Sequence, residues 1–293
     1  MTGETGETGD RGQGTGDSRA RGSERFALTG KVVLITGGAG LLGVEHAEAV
    51  AEAGGVPVIA DVRGGDGERV AQEVREKWGS TASAVELDVT SRSSCEAALA
   101  TVLARHGRLD GLVNNAALNP KVEGAGLSAT RFENYALELW NRELAVGLTG
   151  AFLCAQVFGT HMAAHGGGVI VNVASDLGLI APDQRIYRRP GLAPAEQPVK
   201  PVTYSVVKGG LVMLTKYLAT YWAEQSVRVN ALVPGGVFAG QPEDFVERLT
   251  QLIPMGRMAR RDEYRAALVF LCSDASSYMT GSNLVIDGGR TCW

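Results

Sequence analysis

Tyr204 and Lys208 stand in the run Tyr204-Ser205-Val206-Val207-Lys208, four positions apart, a spacing that puts both on one face of a helix. A phenol ordinarily loses its proton near ~10, too high for a base at neutral pH. An ammonium beside it favours the phenolate, so the pair is equipped to exchange a proton with an alcohol or carbonyl oxygen. The same spacing also occurs by chance on plain helix surfaces. It gains meaning only from what surrounds it.

A second feature lies near the start of the chain. The apolar run Val32 to Thr36 ends in Gly37-Gly38-Ala39-Gly40-Leu41-Leu42-Gly43, and a helical stretch follows. Strand, Gly-rich turn and helix are the context that binds a dinucleotide. Gly37 permits the tight turn, Gly40 lets the backbone approach a pyrophosphate, and Gly43 lets the helix pack on the strand. Leu42 lies in the same turn, and the helix N-terminus offers free N–H groups to phosphate. Asp61 closes the next strand, 24 residues after Gly37. A carboxylate there accepts hydrogen bonds from the adenosine ribose hydroxyls and repels a 2′-phosphate. The turn carries no Lys or Arg to offset that repulsion, although Arg63 is nearby. We expect NAD to be preferred over NADP. The alternative is that Asp61 merely caps the next helix.

These groups need a scaffold. Strand-like runs occur at Val32 to Thr36, Pro57 to Asp61, Ala82 to Leu87, Gly111 to Asn114, Gly168 to Ala174, Val227 to Val233 and Leu284 to Ile286. They alternate with helical runs such as Leu42 to Ala53, Glu68 to Trp78, Ser94 to His106 and Ser205 to Glu224. Near-continuous apolar strands between helices predict an α/β fold, a doubly wound parallel sheet of about seven strands covered on both faces. Residues 28 to 293 form one domain on this reading. Residues 1 to 27, rich in Gly, Thr, Ser and charge, have almost nothing to bury and are expected to be a disordered low-complexity tail.

Taken in chain order, the Gly-rich turn, Asp88-Val89, Asn114-Asn115-Ala116-Ala117, Asn172-Val173-Ala174-Ser175, Tyr204 with Lys208, Arg228-Val229-Asn230, Pro234-Gly235 and Asp287-Gly288-Gly289 resemble the landmarks of the classical short-chain dehydrogenase/reductase family. The resemblance covers residues 28 to 293. It implies a single-domain Rossmann fold and an oxidoreductase that moves a hydride between nicotinamide and a secondary alcohol or ketone. It further implies that Ser175 orients the substrate oxygen, that Tyr204 carries the proton, and that Lys208 also holds the nicotinamide ribose. Asp88 and Val89 would border the adenine, Asn115 and Ala116 would lie along the cofactor, and Pro234, Gly235 and Val237 would meet the nicotinamide side. The helices Trp140 to Met162 and Ser205 to Glu224 resemble those the family pairs across a two-fold, which implies a homo-oligomer, a tetramer or dimer.

The chain departs from the family pattern in places. Glycines at 37, 40 and 43 resemble the extended, sugar-nucleotide-modifying branch, whereas the classical middle glycine falls at Leu41. Extended members carry a large C-terminal substrate domain, and this chain ends about 60 residues after Pro234, so the classical architecture is expected. The asparagine that completes the family's catalytic tetrad falls at Gly147, and a cofactor-binding threonine at Ala239. The segment Asp176 to Thr203 is long, with Ser175 and Tyr204 29 positions apart. It carries Gln184, Arg185, Tyr187, Arg188, Arg189 and Lys200, and Pro190, Pro194, Pro198 and Pro201 stiffen it. A cationic loop beside the site suits an anionic substrate such as a sugar phosphate, with Arg185, Tyr187, Arg188 and Arg189 as contacts. It equally suits a solvated basic loop. Asp176 either binds substrate hydroxyls or caps the turn. The wording of this segment and the ending Gly289-Arg290-Thr291-Cys292-Trp293 resemble flagellin-modification oxidoreductases linked to nonulosonic-sugar pathways.

Composition narrows the field. The formal charge of -4 offers no general attraction to nucleic acid or an anionic membrane. The longest apolar runs are strand-sized, so no transmembrane helix is expected, and the N-terminus lacks a signal-peptide stretch. Four widely spaced cysteines predict neither disulfides nor a metal site, and a cytoplasmic setting. His161 and His165, also four apart, read as surface residues. Two other functions stay open: a sugar epimerase or dehydratase that recycles its NAD, motivated by the glycine spacing, and a catalytically weakened NAD-binding scaffold, motivated by Gly147 and Ala239.

Overall fold

Strand β1 (Val32–Thr36) is buried at every residue, and a strand with no polar face must be covered on both sides. The computed structural model describes residues 22–118 and 127–293. It places β1 inside a seven-stranded parallel sheet with the order β3-β2-β1-β4-β5-β6-β7. The other strands are β2 (Val56–Asp61), β3 (Ser83–Glu86), β4 (Gly111–Asn114), β5 (Gly168–Val173), β6 (Val227–Pro234) and β7 (Asn283–Ile286). All expected strands are present, each end within one residue of its expected place.

Alternate residues feed opposite layers. Val33 and Ile35 of β1 pack with α1 (Leu41–Glu52), α2 (Gly64–Trp78) and α7 (Arg265–Cys272) through Val50, Val70, Val74 and Leu268. Val32 and Leu34 pack on the other face, with α3 (Arg92–His106), the long helix α4 (Leu137–Ala164) and α5 (Val202–Tyr221) through Val102, Phe158, Met162 and Leu218. A short helix, α6 (Glu243–Thr250), follows β6. Helix α2 starts four residues before the expected Glu68, at Gly64. Its Gly-rich first turn has low intrinsic propensity, and packing on the sheet overrides that.

One expectation is corrected. Helix α4 runs 28 residues and is apolar enough, by length and composition, to cross a membrane. The strand-sized apolar runs hid it because polar residues punctuate the helix. Its apolar face is not free for lipid: Cys154, Ala155, Phe158 and Met162 are buried in the domain core. Helix α4 also contains two π-helical turns, Ala145–Thr149 and Ala155–Gly159.

Residues 1 to 21 of the expected tail lie outside the described residues. Just before Leu28, Glu24–Phe26 forms a 3₁₀ turn, and the Phe26 ring lies 6.2 Å from that of Phe270. All four cysteines are free thiols. Strand order reverses between β1 and β4, which flank one another at the sheet centre. A crevice opens at the carboxyl ends of the strands at such a switch point, and ligands bind there in open α/β sheets.

Candidate active site

A cleft of about 1570 Å³ occupies that crevice. Its first wall is the turn after β1. Gly37 has φ +59°, and a Cβ on it would sit 2.9 Å from the Cα of Ala116, so only glycine fits. A Cβ on Gly43 would overlap the Gly37 carbonyl, so Gly43 holds the helix against the turn without lining the cleft. Gly40 caps α1 with no side-chain hydrogen bond, leaving the first N–H groups of the helix open to the cleft. Thr36 locks this wall to β4. Its Oγ1 donates to the Val113 carbonyl at 3.3 Å and accepts from the N–H groups of Asn115 and Ala116, each at 3.0 Å. The Asn115 amide donates to the carbonyls of Thr36 and Gly37.

Asp61 is buried at the end of β2 and lines the cleft. It accepts from the Ala39 N–H at 3.2 Å and the Arg63 N–H at 3.1 Å. The N-cap of α2 is Arg63, with no side-chain cap bond, so Asp61 does not cap that helix. Arg63 turns its Nη1 to Asp66 at 3.0 Å. Leu42, Asp88, Val89, Asn115, Ala116, Pro234, Gly235 and Val237 all line the cleft as well. A glycine cradle at an open helix N-terminus, with a carboxylate at the end of the next strand, fits a nicotinamide dinucleotide.

Strand β5 and helix α5 deliver the reacting groups. Ser175 follows the strand end, and Tyr204 and Lys208 lie one turn apart on α5. Lys208 Nζ donates to the Val173 carbonyl at 2.7 Å and lies 5.9 Å from the centre of the Tyr204 ring. Ser175 Oγ donates to Asp176 at 2.7 Å. Burial pushes Tyr204 above the ordinary phenol value; a hydrogen bond from Ser175 opposes this and the Asp176 charge adds to it. The expected lowering by Lys208 is not found, and burial sets the direction of the shift. Burial also brings Lys208 itself down to about 8, and Lys200 adds to that. Asp176 does brace the turn, accepting from the Leu177 N–H at 2.8 Å, and it faces the cleft too. Burial raises its pKa.

The long segment 176–203 is not a solvated loop. Gln197 ties its two limbs through the Arg189 and Leu192 carbonyls, and Gln184 accepts from the Lys200 N–H. Arg185 is paired with Asp183 at 2.6 Å, and neither Arg185 nor the exposed Arg188 lines the cleft. Arg189 reaches only the rim. Tyr187 lines the cleft and packs on Phe245, ring centres 5.5 Å apart.

Other groups reach the site to which the sequence had assigned no individual role. Lys200 Nζ sits 3.8 Å above the Tyr204 ring centre, and burial brings its ammonium down to about 8. Glu143, buried on α4, accepts from the hydroxyls of Tyr135 and Thr203. Arg142 and Arg290 line the cleft. Only Arg290 had a signal, its place directly after Asp287-Gly288-Gly289. Gly147 is buried in the first π turn of α4, and a Cβ there would lie 2.6 Å from Val207 Cγ1. Val207 fills the space where the family's asparagine would stand.

Residues 31–187 match the model of the short chain dehydrogenase family. Residues 195–291 match a second model, described as enoyl-(acyl carrier protein) reductase. The chain is 34% identical to an NAD-dependent glycerol dehydrogenase of Listeria innocua, over 91% of this chain and 96% of that protein. It is also 34% identical to an NADP-dependent mannitol dehydrogenase of Alternaria alternata, over 90% of this chain and 93% of that protein. Among solved structures, a gluconate 5-dehydrogenase from Burkholderia cenocepacia in complex with NADP and tartrate matches with TM-score 0.81 at 29% identity, covering 93% of this chain and all of that one (100%).

Two outcomes follow from this packing. Gly147→Asn alone forces its side chain into Val207 and should destabilise the protein by about 1–3 kcal/mol; combined with Val207→Ala it should recover most of that in urea unfolding. An equal loss in single and double variants would show that Val207 is not the obstacle. For Lys200, the folded value is about 8 and the ordinary value 10.5. The unfolded chain therefore binds the proton more tightly between these values, and stability rises with pH across that window. Lys200→Met should raise the thermal midpoint of the cofactor-free protein at neutral pH. The gain should shrink as pH climbs from about 8 toward 10.5. A lower midpoint at neutral pH would mean that attraction to Glu143 and Asp176 exceeds the desolvation.

Proposed function

As the chain belongs to the short chain dehydrogenase family, we propose that it oxidises a secondary alcohol, or reduces the matching ketone, on a polyol or sugar-derived substrate, with NAD preferred. The observation that carries this reading is the convergence of Ser175, Tyr204 and Lys208 on one cleft beside the glycine cradle. When bound, the nicotinamide takes up or supplies the hydride. The Tyr204 phenol donates its Oη proton to the carbonyl oxygen as a ketone is reduced, and its phenolate takes the hydroxyl proton when the alcohol is oxidised. Ser175 Oγ, whose proton Asp176 accepts in this structure, turns that proton to the reacting substrate oxygen, which leaves the substrate hydroxyl proton for Tyr204. Lys208 spends one of its three donors on Val173, which leaves two for ribose hydroxyls.

Asp61 supports the NAD preference, since its buried carboxylate faces the ribose end of the cradle. The named relatives are divided, glycerol dehydrogenase using NAD and mannitol dehydrogenase NADP. From the flagellin-modification resemblance we retain only a sugar-derived substrate; the relatives act on polyols and a sugar acid by their names. Four free cysteines, three of them buried, support a reducing, cytoplasmic setting. Residues 28 to 293 are proposed as one catalytic domain. Helix α5 exposes Val206, Met213, Tyr217 and Tyr221, and α4 exposes Phe152; such an apolar face supports a homo-oligomer, a tetramer or dimer.

Tyr204→Phe keeps the ring and removes the proton carrier. Turnover should fall by a factor on the order of 10² or more while NAD affinity and thermal midpoint survive. A screen of polyols, sugar acids and sugar phosphates with NAD, read by accumulation of reduced nicotinamide, supplies the substrate; turnover without such accumulation would favour the epimerase or dehydratase. Full activity in Tyr204→Phe would sink the assignment. Asp61→Ala should bring NAD and NADP affinities together in a direct titration, and tighter NADP binding by the unaltered protein would reverse the preference. In sedimentation at micromolar concentration the protein should run as an oligomer, and Tyr217→Glu should shift it toward smaller species. A monomeric unaltered protein ends that proposal.

A further inference from the structure

Arg290 is 9% exposed, and its side chain lines the active-site cleft. Among the described residues its guanidinium donates no hydrogen bond and forms no ion pair. Other sheltered arginines differ. Arg228 donates to the carbonyls of Met279, Leu271 and Ser273, and Arg265 pairs with Glu45 and Glu48. The Arg290 nitrogens are not sealed from solvent but face the cleft, so a ligand entering there can complete their hydrogen bonds. The carboxylates whose charge reaches Arg290 are Asp176 and Asp183. Asp176 already holds Ser175 Oγ and the Leu177 N–H, and Asp183 holds the Arg185 guanidinium. Both oxygens of Asp183 are taken; both bonds to Asp176 fall on one oxygen, and no hydrogen bond or ion pair joins it to Arg290.

The backbone turn that carries Arg290 is held firmly. The Asp287 carboxylate accepts from the N–H groups of Gly289 and Thr291 at 2.9 and 2.8 Å. Gly288 and Gly289 have φ of +66° and +88°, and a Cβ on them would press on Ile253 and Pro254 at 2.8 Å. A Cβ on Gly235 would lie 2.7 Å from the Asp287 Cα, so this turn rests directly on the cleft wall after β6. Arg290 is thereby presented beside Asp176, the neighbour of Ser175.

We propose that Arg290 receives the carboxylate of a hydroxy-acid substrate whose hydroxyl lies at Ser175 and Tyr204, a substrate class that rests on the hydride-transfer reading above. A planar carboxylate meets the guanidinium fork with two parallel N–H···O bonds, and one buried cation balances its single charge. A phosphate would bring more charge than one arginine offsets. The exposed Arg142 and Arg189 stand at the rim of the same cleft and favour entry of an anion.

The test uses the NAD-loaded protein and a matched pair, D-gluconate and D-glucitol, which share a carbon chain and differ by the carboxylate. Calorimetric titration of each, with D-tartrate as a short dicarboxylate probe, should give at least about tenfold tighter binding of the acids than of the neutral polyol. Arg290→Gln should abolish that preference, and Arg290→Lys should keep part of it, with NAD affinity unchanged in both. Equal binding of acid and polyol by the unaltered protein, or a preference that survives in Arg290→Gln, overturns the proposal. Tighter binding of glucitol 6-phosphate than of gluconate overturns the choice of carboxylate. Charge-selective binding without reduced nicotinamide would defeat the hydride-transfer reading while leaving the anion site in place; turnover without charge selectivity would do the reverse.

Discussion

A hydrogen bond from Lys208 Nζ to the Val173 carbonyl, 2.7 Å long, fastens helix α5 to the end of strand β5. The ammonium is buried, and the bond offsets part of the desolvation that burial imposes. Ser175 lies two residues beyond Val173, and Tyr204 lies one turn before Lys208. That bond therefore fixes the strand-borne hydroxyl against the helix-borne phenol. A second constraint reinforces it: a Cβ on Gly178 would lie 2.7 Å from the Lys208 backbone, so the turn after Ser175 packs backbone to backbone against α5. Rigid placement of this kind is what positioned proton transfer requires.

Around the phenol the charges nearly balance. Lys200 and Lys208 approach Tyr204, and Asp176 and Glu143 stand behind them, raising the Lys200 pKa against burial. Desolvation nevertheless dominates, lifting the tyrosine and depressing both lysines. Each group is held nearer its neutral form than it would be in water, so the phenol keeps its proton ready for a carbonyl oxygen and both ammoniums titrate closer to neutral pH. The length of the segment 176–203 matters here, since it carries Lys200 back over the tyrosine ring. Such a fixed arrangement of charge serves the reaction without reorganising during it.

The sequence was most legible where function follows from local order. Strand β1, its glycine turn and Asp61 form one contiguous unit, and each glycine has a stereochemical reason visible in the chain alone. Tyr204 and Lys208 were legible for the same reason, a helix period. Arg185 and Arg188 misled because a cationic loop says nothing of which way each side chain turns, whereas Arg189 does reach the cleft rim. Arg185 is claimed by Asp183, two residues away. Arg290 and Glu143 were hidden because their importance is tertiary: Arg290 meets Asp176 only when β7 docks beside β6. Lys200 stood in plain view within the loop, but only the fold sets it on the tyrosine.

The contact between Gly147 and Val207 also bears on the history of this chain. Two positions, 60 apart in sequence, share a space that holds one side chain of that size. Neither is free to vary alone: enlarging residue 147 collides, and shrinking residue 207 leaves a void. A lineage that has exchanged its helix asparagine for this pair must pass through a poorly packed intermediate to return. The two positions are in that sense epistatically coupled, and a larger side chain at 147 is accommodated only when residue 207 shrinks with it.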